Sequence, residues 1–197
     1  MSSKAQRLHE QATVVIAHDH IMFGLAARRV RGERAVFADH YAPLMRKGGV
    51  NVVGLVAGGD DPRLGGDPVD PWWGTLATLD MVWQEAEESS DSLTVCLNSR
   101  DIDVAVAEEK VAAILTVEGG QLVVAGPCAD FLVNLRTLYR LGVRSIQFRG
   151  QGGNRLFDAP AGEGTSQAGD ESPGPVSYTH LTLPTNRVAG GGGGGGG

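Results

Sequence analysis

Short apolar runs alternate with helical patterns along the first three quarters of the chain. The apolar runs predict strands at residues 13–16, 50–56, 93–96, 111–117 and 144–148. Most of these runs are continuous and do not alternate with polar residues. Such runs are typical of strands covered on both faces, as in a parallel sheet with helices outside.

The segments between these strands carry the spacing and end signals of helices. Asp70 and Pro71 offer a cap and a proline at the first helical position. An apolar face follows them, made of Leu76, Leu79, Trp83 and Ala86. Further helices are predicted at 38–47, at 99–109 with Ser99 as the cap, and at 130–141, stopped by Gly142. The alternation indicates βαβ units, and either a closed barrel or an open sheet would satisfy it.

Composition and charge exclude several classes of partner. The 197 residues are 42% hydrophobic, enough for a core, and the net charge of -6 comes without a basic stripe. We therefore expect no nucleic-acid partner. No apolar run reaches the roughly 18 residues of a membrane span, so no membrane partner and no signal peptide are expected. Cys96 and Cys128 lack CxxC spacing, which favours reduced thiols and a cytoplasmic location.

The composition changes sharply near the end of the chain. The last eight residues, 190–197, are all glycine, a run with maximal backbone entropy and no side chains to bury. Residues 176–187, VSYTHLTLPTNR, resemble a translated sequencing adaptor. We therefore predict three parts: an N-terminal extension at 1–12, a partial barrel at 13–169, and a non-native or disordered tail at 170–197.

Two polar clusters directly follow predicted strands. His18, Asp19 and His20 come after the first strand, and Glu118 comes after the strand at 111–117. In parallel α/β folds the carboxyl ends of the strands carry the chemistry. Imidazole is the commonest zinc ligand, and a carboxylate ending a buried strand needs a partner. A metal site is one interpretation; incidental histidines and a salt-bridged acid are the other.

Other polar and aromatic residues are given structural roles. The glycine pairs 58–59 and 65–66 lack the context of a dinucleotide site and are interpreted as turns. Trp72 and Trp73 are expected to pack at a helix start, and His9 and His40 to be surface or capping residues.

Several segments together resemble the membrane (renal) dipeptidase family of zinc metallopeptidases. The family's opening strand and Asp-Gly-His-x-Asp motif correspond to residues 16–20, and its strand ending in Glu-Gly-Gly corresponds to residues 113–120. Its Leu-Tyr-x-Leu-Gly-Val-Arg motif corresponds to residues 138–144, and residues 98–104 and 154–158 also look similar. The resemblance covers about residues 14–169.

The resemblance implies a (β/α)8 metal-dependent-hydrolase barrel, of which this chain would hold about the first half. It also implies a two-metal site, usually zinc, in which His18 and His20 ligate one ion and Glu118 bridges both. The implied reaction is hydrolysis of dipeptides by a metal-activated water, with Glu118 as the catalytic residue. It allows a homodimer of the full-length protein.

Three departures from the family pattern bear on activity. His20 stands where the family has an aspartate, Gly150 where many relatives have a histidine or tyrosine, and two further metal-binding histidines would lie on later strands. We expect the 197-residue chain itself to be inactive. Two alternatives stay open: an amidohydrolase acting on another or a cyclic amide, and a non-catalytic barrel relative that serves as a binding module.

Overall fold

The computed structural model describes residues 3–59, 63–64, 67–120 and 131–148, which alternate between helices and strands. The elements in chain order are α1 Ser3–Gln11, β1 Val14–Asp19, α2 Ile21–Val30, a π-helical turn Phe37–Tyr41, α3 Ala42–Lys47, β2 Val50–Gly59, β3 Arg63–Leu64, β4 Asp67–Pro68, α4 Pro71–Glu88, β5 Leu93–Val95, α5 Ser99–Ala107, β6 Val111–Glu118, α6 Phe131–Arg140 and β7 Val143–Gln147.

The main sheet is parallel throughout. Its order is β1-β2-β6-β5, and β7 also pairs with β6. One side of β6 pairs with β2 over most of its length. On its other side, β5 pairs with the first part and β7 with the last part, so β5 and β7 follow one another along β6. The carboxyl ends of β1, β2, β6 and β7 therefore lie at one edge of the sheet, where the polar clusters were predicted.

Helices cover both faces of this sheet. The larger core joins one face to α2, α3, α4 and α6; its most deeply buried members include Leu25, Phe37, Leu79, Leu115 and Leu138. A smaller cluster packs Ala105 of α5 against Val52, Cys96 and Ala112. Because side chains alternate along β6, its odd-numbered residues enter the large core and its even-numbered ones the second face. This two-sided burial explains the continuous apolar runs.

A buried ionic network joins α2 to α4. Arg29 donates to Glu85 and to Glu88, both at 2.6 Å, and the Arg29 and Glu85 side chains are only 6% and 1% exposed. The second carboxylate oxygen of Glu85 accepts from the Phe37 amide at 2.6 Å and from the Ser89 hydroxyl at 2.9 Å. Glu85 thus fixes α2, α4 and the π-helical turn to one another.

This network explains why the predicted apolar face of α4 was partly wrong. Leu79 is buried as predicted, but Trp83 is 37% exposed. The buried positions of α4 are Gly74, Thr75, Thr78, Leu79, Val82 and Glu85. A glutamate can occupy this face because Arg29 compensates its charge, which the pattern within one helix cannot reveal. Trp83 instead donates its indole N–H to the Leu141 carbonyl before Gly142.

Several element ends differ from the sequence predictions. β1 and β2 extend three residues beyond the predicted 16 and 56, so the 58–59 glycine pair belongs to a strand and not to a turn. α1 and α2 were not predicted, and the predicted helix at 38–47 begins with a π-helical turn. The α5 cap is Asn98, not Ser99: its side chain accepts from the Asp101 amide at 3.1 Å.

The aromatic and histidine interpretations have mixed outcomes. Trp72 packs against the core as predicted, whereas Trp73 is 58% exposed. His9 contacts the Gly48 carbonyl at 2.9 Å and His40 lies 3.2 Å from Glu33, in agreement with surface or capping roles.

Some expectations fall outside the described residues. These are the 65–66 glycine pair, Cys128, Gly150, the 154–158 segment and the boundary at 169–170. Within the described residues, no helix has the length and apolar character needed to cross a membrane.

Candidate metal centre

The polar residues of two strand ends meet at the carboxyl edge of the sheet. His18 lies within β1, His20 directly follows that strand, and Glu118 is the last residue of β6. β2 runs between these strands and ends beside Glu118 at Gly59. A Cβ on Gly59 would overlap the Glu118 carbonyl oxygen, so glycine lets β2 approach Glu118 closely.

A second glycine shapes β1 just before the histidines. The pairing of β1 with β2 shifts register between Ile16 and Asp19. The Ala17 carbonyl lies so close to Gly54 of β2 that a Cβ there would overlap it. Such a local irregularity changes the direction of the side chains at the end of β1, as β-bulges do next to functional sites.

The three donor side chains converge. The Nε2 atoms of His18 and His20 are 2.8 Å apart, and they lie 3.5 Å and 3.2 Å from Glu118 Oε2. Within the described part of the chain, His18, His20 and Glu118 form the one group of three or more such side chains whose donor atoms are close enough for a metal ion. The sequence-predicted residues are therefore brought together.

The donor set fits a transition-metal ion. Two imidazoles and one carboxylate form the ligand set found in several catalytic zinc sites, which keep a further position open. In a tetrahedral zinc site, two ligand atoms lie roughly 3.4 Å apart. The distances from the two histidine Nε2 atoms to Glu118 Oε2 are close to this value. The Nε2 atoms of His18 and His20 are 2.8 Å apart and would have to separate slightly to bind one ion together.

The site is open to solvent. The side chains of His18, His20 and Glu118 are 32%, 42% and 29% exposed. A small ligand can therefore reach all three from outside the sheet edge.

Asp19 does not take the place of the aspartate that His20 replaces. Its Oδ1 accepts a hydrogen bond from the Ile21 amide at 2.8 Å, at the start of α2. The orphan amides and the dipole at a helix N-terminus favour a carboxylate there. Asp19 thus belongs to the α2 start, and the candidate ligand set carries a single carboxylate.

Two neighbours that the sequence analysis missed hold the imidazole rings. Phe23 stacks on His20 with ring centroids 5.3 Å apart and planes at 7°. Gln147 places its side-chain Nε2 at 2.8 Å from His18 Nδ1. The predicted strand at 144–148 contained Gln147, but its register with Glu118, which brings it to His18, is set by the pairing of β7 with β6.

Comparisons with known proteins agree with this reading of the fold. The family model of membrane dipeptidase (peptidase family M19) matches residues 2–174. No curated protein is significantly similar in sequence.

Three solved structures share the fold at low sequence identity. The "probable dipeptidase PvdM" of Pseudomonas aeruginosa has a TM-score of 0.59 and 17% identity, over 79% of this chain and 39% of that one. The dipeptidase AC, a metallopeptidase of family M19, has a TM-score of 0.54 and 17% identity, over 74% and 46%. A metallopeptidase of Rhodobacter sphaeroides, liganded with a phosphinate mimic of L-Ala-D-Ala, has a TM-score of 0.54 and 16% identity, over 73% and 48%.

The predicted (β/α)8 barrel class is thereby confirmed, with the described strands forming part of such a barrel. The chain spans between 39% and 48% of the length of these three structures. The family match covers far more than half of the chain. The chain belongs to the membrane dipeptidase family, peptidase family M19.

Proposed function

We propose that the protein is a metal-dependent dipeptidase that hydrolyses the peptide bond of dipeptides with a metal-activated water. The observation that carries the proposal is the convergence of His18, His20 and Glu118 from two strand ends. His18 and His20 would hold one zinc ion, and Glu118 would bridge it to a second. When bound, two such metal ions lower the pKa of a water molecule and polarise the scissile carbonyl.

The residues of the chain have separate tasks in this scheme. Glu118 supplies the only negative charge among the three candidate ligands. Two neutral imidazoles alone would leave the positive charge of the metal ion uncompensated. Phe23 holds the His20 ring by stacking, so that Nε2 faces Glu118. The chain covers under half of its solved relatives, so the dipeptidase activity is assigned to the whole protein.

Metal content and hydrolysis test the proposal together. The whole protein, to which the activity is assigned, is loaded with zinc, passed through a desalting column, and assayed for zinc and for amine release from a dipeptide panel. Glu118→Gln keeps the shape of the side chain and removes its charge; Glu87→Gln, on the exposed surface of α4, is the matched control. We expect zinc in the wild type and the control, and loss of zinc and activity in Glu118→Gln. A folded wild type without zinc would overturn the proposal.

A second candidate function follows from His20. A His-x-His pair at the end of β1 is also the pattern of the wider amidohydrolase group, which acts on other amides or cyclic amides. Including cyclic amides in the substrate panel separates the two: hydrolysis of those compounds with dipeptides left intact would favour the amidohydrolase.

A further inference from the structure

Both ring nitrogens of His18 contact side chains at the ends of two other strands of the sheet. Its Nε2 faces Glu118 at the end of β6, and its Nδ1 faces the side chain of Gln147 at the end of β7. Glu118 and Gln147 are partners in the pairing of these strands. The Gly119 amide also donates to the Gln147 carbonyl at 2.8 Å, which ties the end of β7 to β6.

The proton of His18 decides whether the ring can act as a ligand. A neutral imidazole carries one N–H, and the other nitrogen has the free lone pair. If Nε2 is to bind a metal, the proton must be on Nδ1, and Nδ1 then needs a hydrogen-bond acceptor. The Gln147 Nε2 atom lies 2.8 Å from Nδ1, and an amide N–H donated to Nδ1 requires the opposite tautomer, with the proton on Nε2.

A carboxamide is suited to serve both tautomers. It ends in an oxygen acceptor and an NH₂ donor of similar shape, and half a turn about its terminal bond exchanges them. Gln147 can therefore donate to Nδ1 in one state and accept from Nδ1–H in the other. A carboxylate at this position could only accept, and an apolar side chain could do neither.

We infer that Gln147 is a positioning residue that fixes the His18 ring and, by turning its carboxamide, allows the tautomer whose Nε2 lone pair faces Glu118. The inference rests on the proposed metal-binding function of this site. Gln147 touches no reacting atom in this scheme and acts through His18.

Two variants of Gln147 and two matched controls test the inference. Gln147→Glu is a permanent acceptor, and Gln147→Met removes the partner at similar size. Gln6→Glu and Gln6→Met make the same changes on exposed α1. The first readout is the imidazole ¹⁵N shifts of metal-free protein at about pH 8.5, where ordinary imidazoles are neutral. The second is the Kd for Co²⁺ alone, measured by competition with a chromophoric chelator.

The expected results differ between the variants. Gln147→Glu should move the His18 proton to Nδ1 and tighten Co²⁺ binding, and Gln147→Met should weaken binding by about 10–100-fold. The Gln6 variants should match the wild type. If Gln147→Met leaves both the ¹⁵N pattern and the Kd unchanged, the inference is wrong. If the wild type binds no Co²⁺, the proposed function fails instead, and the ¹⁵N shifts still decide the role of Gln147.

Discussion

Removing Arg29 should leave the buried carboxylate of Glu85 without its charge partner. Glu85 is 1% exposed, and in Arg29→Met it would keep only the neutral donors of Phe37 and Ser89. Breaking a buried ion pair by deleting one partner costs about 3–5 kcal/mol, because the remaining charge stays buried. That is a large part of the roughly 5–15 kcal/mol that stabilises a typical domain.

Replacing both partners should cost less than replacing one. In Arg29→Met/Glu85→Met no charge is left in the core, and apolar side chains often substitute for a buried pair without loss. The Phe37 amide, however, loses its acceptor, and a buried unpaired N–H costs about 1–3 kcal/mol. The double variant should therefore lie between Arg29→Met and the wild type.

Urea unfolding followed by circular dichroism measures these differences. With a slope of about 2 kcal/mol per molar urea, Arg29→Met should lower the midpoint by about 1.5–2.5 M. Arg31→Met is the control, because the Arg31 side chain is 61% exposed and its ion pair with Glu33 is worth little. A midpoint shift below about 0.5 M in Arg29→Met, or a double variant no more stable than the single, would refute the reasoning.

Three further predictions concern the strand-end glycine, the buried thiol and acid pH. Gly54→Ala should destabilise the fold by about 1–3 kcal/mol and weaken metal binding, because the new Cβ overlaps the Ala17 carbonyl before the histidines. Burial raises the pKa of Cys96 to about 11, so its alkylation at pH 8, followed by peptide mapping, should be far slower in native than in unfolded protein. The Arg29 hydrogen bond lowers the pKa of Glu88 from 4.5, so wild type should lose its stability advantage over Glu88→Gln as the pH falls below about 4.5.

The Gly54→Ala prediction has a matched control. Gly48→Ala places its Cβ at ordinary distances from its neighbours, the closest at 3.5 Å, and should leave metal binding unchanged. The sign for Glu88 follows from linkage: a carboxyl whose folded pKa is lowered stabilises the fold above its ordinary pKa, and that contribution disappears as the carboxyl is protonated. Fast native alkylation of Cys96, or a Glu88 effect that grows with acid, would contradict the reasoning.

The sequence pattern by itself predicted a parallel α/β sheet and the candidate ligands, whereas the choice of a barrel came from the family resemblance. Continuous apolar runs separated by capped helices specify parallel strands covered on both faces, as for β2 and β6. The carboxyl ends of parallel strands share one edge, so His18, His20 and Glu118 could be expected to meet from their places after strands alone.

Tertiary structure decided what depends on partners distant in the chain. The glutamate at position 85 lies on the buried face of α4 because Arg29 reaches it from 56 residues away. β1 extends to Asp19 and β2 extends to Gly59 because each strand is still paired with a neighbouring strand there. Gln147 gained its place beside His18, 129 residues away, through the pairing of β7 with β6. Periodicity records which face of an element is apolar, whereas contacts across the sheet edge depend on how all the strands are assembled.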